Sequence, residues 1–136
     1  MKEFYFELFF RIRVSEKLVE IFHKENFYIK YFYNTITIGK SFNNLDGLEF
    51  SYNTSSTISD GSGYISGTKA DILDFLILFL RFVNNENILE RPMRIYFNEN
   101  QTMWIDLEKE EDIYGIFDEN SPKIKKYYNS TDSDNN

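Results

Sequence analysis

Phe4-Tyr5-Phe6-Glu7-Leu8-Phe9-Phe10-Arg11-Ile12-Arg13-Val14 sets an apolar side chain at every even position. Glu3, Tyr5, Glu7, Arg11 and Arg13 fall on the odd ones. Successive side chains of an extended chain point to opposite faces, so this period of two predicts a strand with one face on a core and the other in water.

Working outward, Ser15 offers an N-cap with Glu16 in the first turn, and Leu18, Val19, Ile21 and Phe22 make an apolar stripe. That pattern predicts a first helix ending near Glu25. Phe27 to Ile38 is rich in β-branched and aromatic residues and reads as one strand closed by Gly39. Leu48 to Tyr52 and Gly63 to Ser66 are shorter strand candidates. The segments Asn43 to Gly47 and Asp60 to Gly63 read as turns between them. Thr68-Lys69-Ala70-Asp71 has capping-box form, with Asp in place of Glu. The helix it opens, to about Val83, is apolar nearly all round and should lie buried across a sheet or supply a dimer interface. Met93 to Phe97 and Met103 to Leu107 form a hairpin, and Glu108 to Phe117 a third helix capped by Asp106.

The order β-α-β-β-(β)-α-β-β-α predicts an α+β domain over residues 1–120. Its sheet should be mainly antiparallel or mixed, with two to three helices mostly on one face. Residues 121–136 are polar and read as a partly flexible tail, frayed from Ser130. A chain of 136 residues suits one domain. With no cysteine, disulfides and thiolate chemistry are excluded. Charged residues interrupt the N-terminal apolar run and the longest apolar stretch is Phe75 to Leu80, so a soluble, cytoplasmic protein without membrane contact is expected. Aromatic residues reach 18%. AT-rich codon usage explains that content more simply than a general recognition surface.

Catalytic motifs are sparse. His23 is the sole histidine and lies late in the first helix, so a histidine-based triad or metal site lacks partners. Gly61-Ser62-Gly63 with Gly67 has the spacing of neither a dinucleotide fingerprint nor a Walker loop. Aromatics interleaved with basic residues at Tyr28 to Tyr33, within a β-α-β-β-α-β order, prompt a test for RRM-like nucleic-acid binding. The RNP1 pattern is missing, and a net charge of −7 opposes a phosphate backbone. No catalytic residue, metal or cofactor is expected.

The acidity is concentrated. Between Asp106 and Glu119, seven carboxylates face one Lys109, a local net of −6, whereas residues 1–40 carry seven Lys and Arg against five Glu. A concentrated field of one sign either solvates a face or steers a partner of opposite charge. A small, acidic, cysteine-free chain without catalytic motifs fits a stoichiometric inhibitor that occludes a basic partner. An immunity-type protein neutralising a co-encoded, nuclease-like bacterial toxin is the leading expectation, and a phage-type anti-defence inhibitor a variant of it. The expected contact residues are Trp104, Asp106, Glu108, Glu110, Glu111, Asp112, Tyr114, Asp118 and Glu119. The alternative is a homodimeric structural or small-ligand module. The outward face of the first strand, with Glu7, Arg11 and Arg13, is a candidate second contact surface.

Overall fold

The computed structural model describes residues 2–42 and 45–127. The alternating segment forms β1 (Phe4–Arg13), with Phe6, Leu8, Phe10 and Ile12 buried and Tyr5 exposed. There follow α1 (Leu18–Lys24), β2 (Tyr28–Phe32), β3 (Thr35–Phe42), β4 (Leu45–Asn53), β5 (Ile58–Gly67) and α2 (Lys69–Asn85). The chain continues as β6 (Met93–Tyr96), β7 (Met103–Leu107), α3 (Glu110–Gly115) and β8 (Lys125–Lys126). The strands make one sheet of order β2-β3-β4-β5-β1-β6-β7-β8, antiparallel throughout. The segment after β1 carries the chain to one edge through α1. Four strands then meander back to β1, and α2 crosses to its other side.

All three helices cover the face to which β1 turns its even residues, so the protein is α+β with a single sheet and one helical layer. The abundance of phenylalanine finds its use here. Phe10 meets Phe50 and Phe79 edge to face, each at 5.6 Å, and Phe22 packs on Phe27, Phe50 and Phe82 at 4.9 to 5.2 Å. Such pairs add about 0.5–1.5 kcal/mol each beyond the area they bury. The Thr68 hydroxyl accepts from the Asp71 amide and the Asp71 carboxylate from the Thr68 amide, giving α2 the capping box its sequence announces.

The structure departs from the sequence pattern at five places. The run Phe27 to Ile38 is two strands, because the chain reverses at Tyr33-Asn34 without a glycine, Tyr33 taking φ 54° itself. Asp60 to Gly63 is the middle of β5 rather than a turn. Gly61 faces the Phe10 ring and Gly63 the backbone of Gly47 and Leu48, where a Cβ would overlap each neighbour. Glycine there admits a large ring on the adjacent strand. Ser15 does not cap α1: its carbonyl accepts from the Leu18 amide, and the helix begins after Lys17. Asp106 does not cap α3 but sits in β7, and α3 is shorter than expected at both ends. Finally, residues 121–127 close the sheet through β8, with the Tyr127 amide donating to the Thr102 carbonyl at 2.7 Å. Ser130 to Asn136, expected to fray, and the turn residues Asn43 and Asn44 lie outside the described residues.

Candidate interaction site

The acidic segment runs from β7 through α3, and the fold divides its side chains among three environments. Trp104 and Asp106 alternate outward on β7 and so lie on the sheet face that no helix covers. Arg94 stacks on the Trp104 ring at 4.7 Å and donates to Asp106 at 3.1 Å, while Lys125 reaches the other Asp106 oxygen at 2.6 Å. The Trp104 Nε1 is buried without a hydrogen-bond partner among the described residues.

Asp112 is interior. One carboxylate oxygen accepts from the Glu108 and Lys109 amides, both at 2.9 Å, and the other is engaged by the Lys123 ammonium. Burial alone would raise this carboxyl, but Lys123 and the two amides outweigh it and hold it below the usual aspartate value. Asp112 therefore fixes the first turn of α3 from within.

Glu108, Glu111, Tyr114, Asp118 and Glu119 form the third group, exposed at the end of the molecule beyond β7. Glu110, half-buried, pairs with Arg81 of α2 at 2.6 Å, and Glu111 lies 3.7 Å from Lys123. Sequence counting gives this segment a net of −6. In space, Arg81, Arg94, Lys123 and Lys125 offset Asp106, Glu110 and Asp112 directly, so the outward field is carried by Glu108, Asp118 and Glu119, with Glu111 partly offset by Lys123. Tyr114, 55% exposed, stands among them with Glu110 and Glu111 one turn earlier and Asp118 one turn on.

An open depression of ≈ 330 Å³ lies between α3 and residues 122–125, and a second of ≈ 300 Å³ between the end of α2 and Leu107. Neither holds His23, which lies on α1. Among the described residues there is no group of three His, Asp or Glu placed to hold a metal ion.

The uncovered sheet face pairs its charges across strands. Arg11 grips Asp60 at 2.6 and 3.2 Å, holding that carboxyl below its ordinary value, and Arg13 donates to the Asn87 and Leu89 carbonyls. Its aromatics are engaged as well: Tyr5 stacks on Tyr64 at 5.3 Å and Arg91 lies over Phe9 at 5.5 Å. Base stacking on this platform would have to displace those partners beside Glu7, Asp60 and Asp106, which repel phosphate.

One exposed feature escaped the sequence reading. Tyr31, Phe32 and Tyr33, at the β2–β3 turn, are 67%, 73% and 91% exposed. The aromatic run Tyr28 to Tyr33 was its signal, but only the turn at Tyr33 turns that run into a projecting tip. Compared with protein-family models, curated proteins and solved structures, the chain has no match. No helix among the described residues is long and apolar enough to cross a membrane.

Proposed function

We propose that the protein acts without catalysis, as a stoichiometric inhibitor that covers the basic active site of a partner enzyme. In its specific form the reading is an immunity-type protein that neutralises a nuclease-like toxin in the cytoplasm. The observation that supports it is Tyr114, an exposed aromatic on a helix whose first turn is pinned by a buried carboxylate, in a segment whose Glu108, Glu111, Asp118 and Glu119 are exposed as well. Interface hot spots are enriched in such aromatic anchors, and the rim around them is polar. The rim carboxylates speed encounter with a cationic site and fix orientation more than they add affinity. Because Asp112 anchors the start of α3 from inside, Glu108, Glu111 and Tyr114 are presented without a loop to order on binding, which lowers the entropic cost of association.

The test is capture from lysate of the cells that make the chain, with the wild type in parallel with a Glu108→Lys/Glu111→Lys/Asp118→Lys/Glu119→Lys variant. The expected result is one basic enzyme at 1:1 stoichiometry, held by the wild type, lost by the variant, and released at ~0.5 M salt, where exposed charges are screened. Equal retention of that enzyme by both chains would remove this face from the account.

A further inference from the structure

The two edges of the sheet are unequal. At one end β8 is two residues long and both are lysine, a short and charged edge of the kind that blocks strand addition. At the other end β2 runs five residues, and among the described residues no strand lies outside it. Its turn is two residues long and closes on Phe32 opposite Thr35. In an antiparallel ladder the backbone groups alternate inward and outward. A tight hairpin closes on a hydrogen-bonded pair, so Phe32, Lys30 and Tyr28 address β3, and Tyr31 and Ile29 direct their N–H and C=O groups away from the sheet.

The side chains along this edge are as unusual as its backbone. Tyr31 lies on the helix-bearing side yet is 67% exposed, because the helical layer stops short of it, and Phe32 on the other side is 73% exposed. Tyr33 holds a left-handed backbone, φ 54°, that a bulky residue rarely adopts. In a chain of net charge −7, Tyr28–Phe32 and Thr35–Phe42 contain no carboxylate.

We propose that a second copy of this chain pairs antiparallel along β2, joining two sheets into one. The charge distribution favours a copy as the occupant, since β2 and β3 contribute no carboxylate to this edge and the neighbouring Glu49 is engaged by the Tyr28 hydroxyl, which lets two net-negative molecules meet with their acidic ends at opposite poles. The register follows from side-chain pairing. Centring the two-fold axis on Lys30 would set two ammonium groups directly opposite, which destabilises a sheet. Centring it on Tyr31 places Tyr31 opposite Tyr31 of the partner subunit and sets Lys30 against the partner subunit's Phe32, a cation on an aromatic ring. The proposal is independent of the acidic face around Tyr114.

The experiment is light scattering of the full chain from micromolar to submillimolar concentration, followed by single-cysteine cross-linking. The native chain has no cysteine, so each variant reports one position. Opposed Cα atoms of a hydrogen-bonded antiparallel pair lie about 5.5 Å apart, within the disulfide range. The expected results are a doubling of molar mass with concentration and a covalent dimer from oxidised Tyr31→Cys. Tyr28→Cys, several residues from its counterpart in this register, forms no disulfide-linked dimer. Tyr31 is exposed, so unchanged circular dichroism verifies that its variant folds. A chain that stays monomeric throughout, or cross-linking of Tyr28→Cys as readily as Tyr31→Cys, overturns the proposal.

Discussion

Asp112→Ala tests how the acidic end is built. The carboxylate serves two backbone amides at 2.9 Å and one ammonium. Loss of a capping acceptor costs about 1 kcal/mol. Leaving a second, part-buried amide without its acceptor adds about 1 kcal/mol. Lys123 is 48% exposed, so its ion pair is screened and contributes at most a few tenths of a kcal/mol. The expected total is ~2 kcal/mol, a fall of about 6 °C in Tm for a domain of this size. Asp112→Asn keeps an acceptor for the amides and gives up the ion pair, so it should fall by less than half as much. The assay is thermal unfolding followed by circular dichroism at pH 7 and pH 3. The folded carboxyl titrates below its unfolded value, so its stabilisation is fully present above about pH 4 and is lost as pH falls through the folded value. The gap between wild type and Asp112→Asn should therefore close in acid. An alanine variant within ~0.5 kcal/mol of wild type at pH 7 would rule out this capping role, being smaller than the capping contribution alone. A gap undiminished at pH 3 would refute it too.

Two further outcomes follow from the sheet. Gly61→Val should destabilise by about 1–3 kcal/mol in denaturant titration, because its side chain must displace the Phe10 ring from a packed core; a neutral substitution would mean that ring has room to move. The Tyr28 hydroxyl donates to Glu49, and that bond, aided by burial and the carboxylate's charge, pushes the phenol up to about 12. Its contribution to stability is present below about pH 10 and lost as pH rises through the folded value. Spectrophotometric titration of Glu49→Gln should bring one tyrosine down toward its ordinary value, with burial keeping it somewhat above, and an unchanged curve would remove the bond.

The fold was legible where a pattern is local and dense. β1, α2 and the β6–β7 hairpin follow from alternation, a capping box and a short polar turn, each written in contiguous residues. Three of the misreadings share one physical cause, in that a partner distant in sequence fixed the local state. Gly61 and Gly63 signal a turn in isolation and a strand once Phe10 and Leu48 occupy the space a side chain would need. Asp106 looks like a cap until Arg94 and Lys125 claim it. The tail looked solvated because nothing in residues 121–127 announces that Asp112 and the edge of β7 await them. The candidate site was legible as a charge count and illegible as a surface, since neutralising cations come from α2, β6 and residues 123–125. Tyr114 and the outer carboxylates survive that neutralisation, whereas Trp104 and Asp106 belong to the opposite, self-paired face.

Titrating the chain against the catalytic activity of the basic enzyme it captures is the most direct test of the proposed function. Activity should fall linearly to zero at one chain per active site, with no recovery on prolonged incubation, and the same titration with the Glu108→Lys/Glu111→Lys/Asp118→Lys/Glu119→Lys chain should leave activity intact. Full activity in the presence of excess wild-type chain would contradict the proposed function.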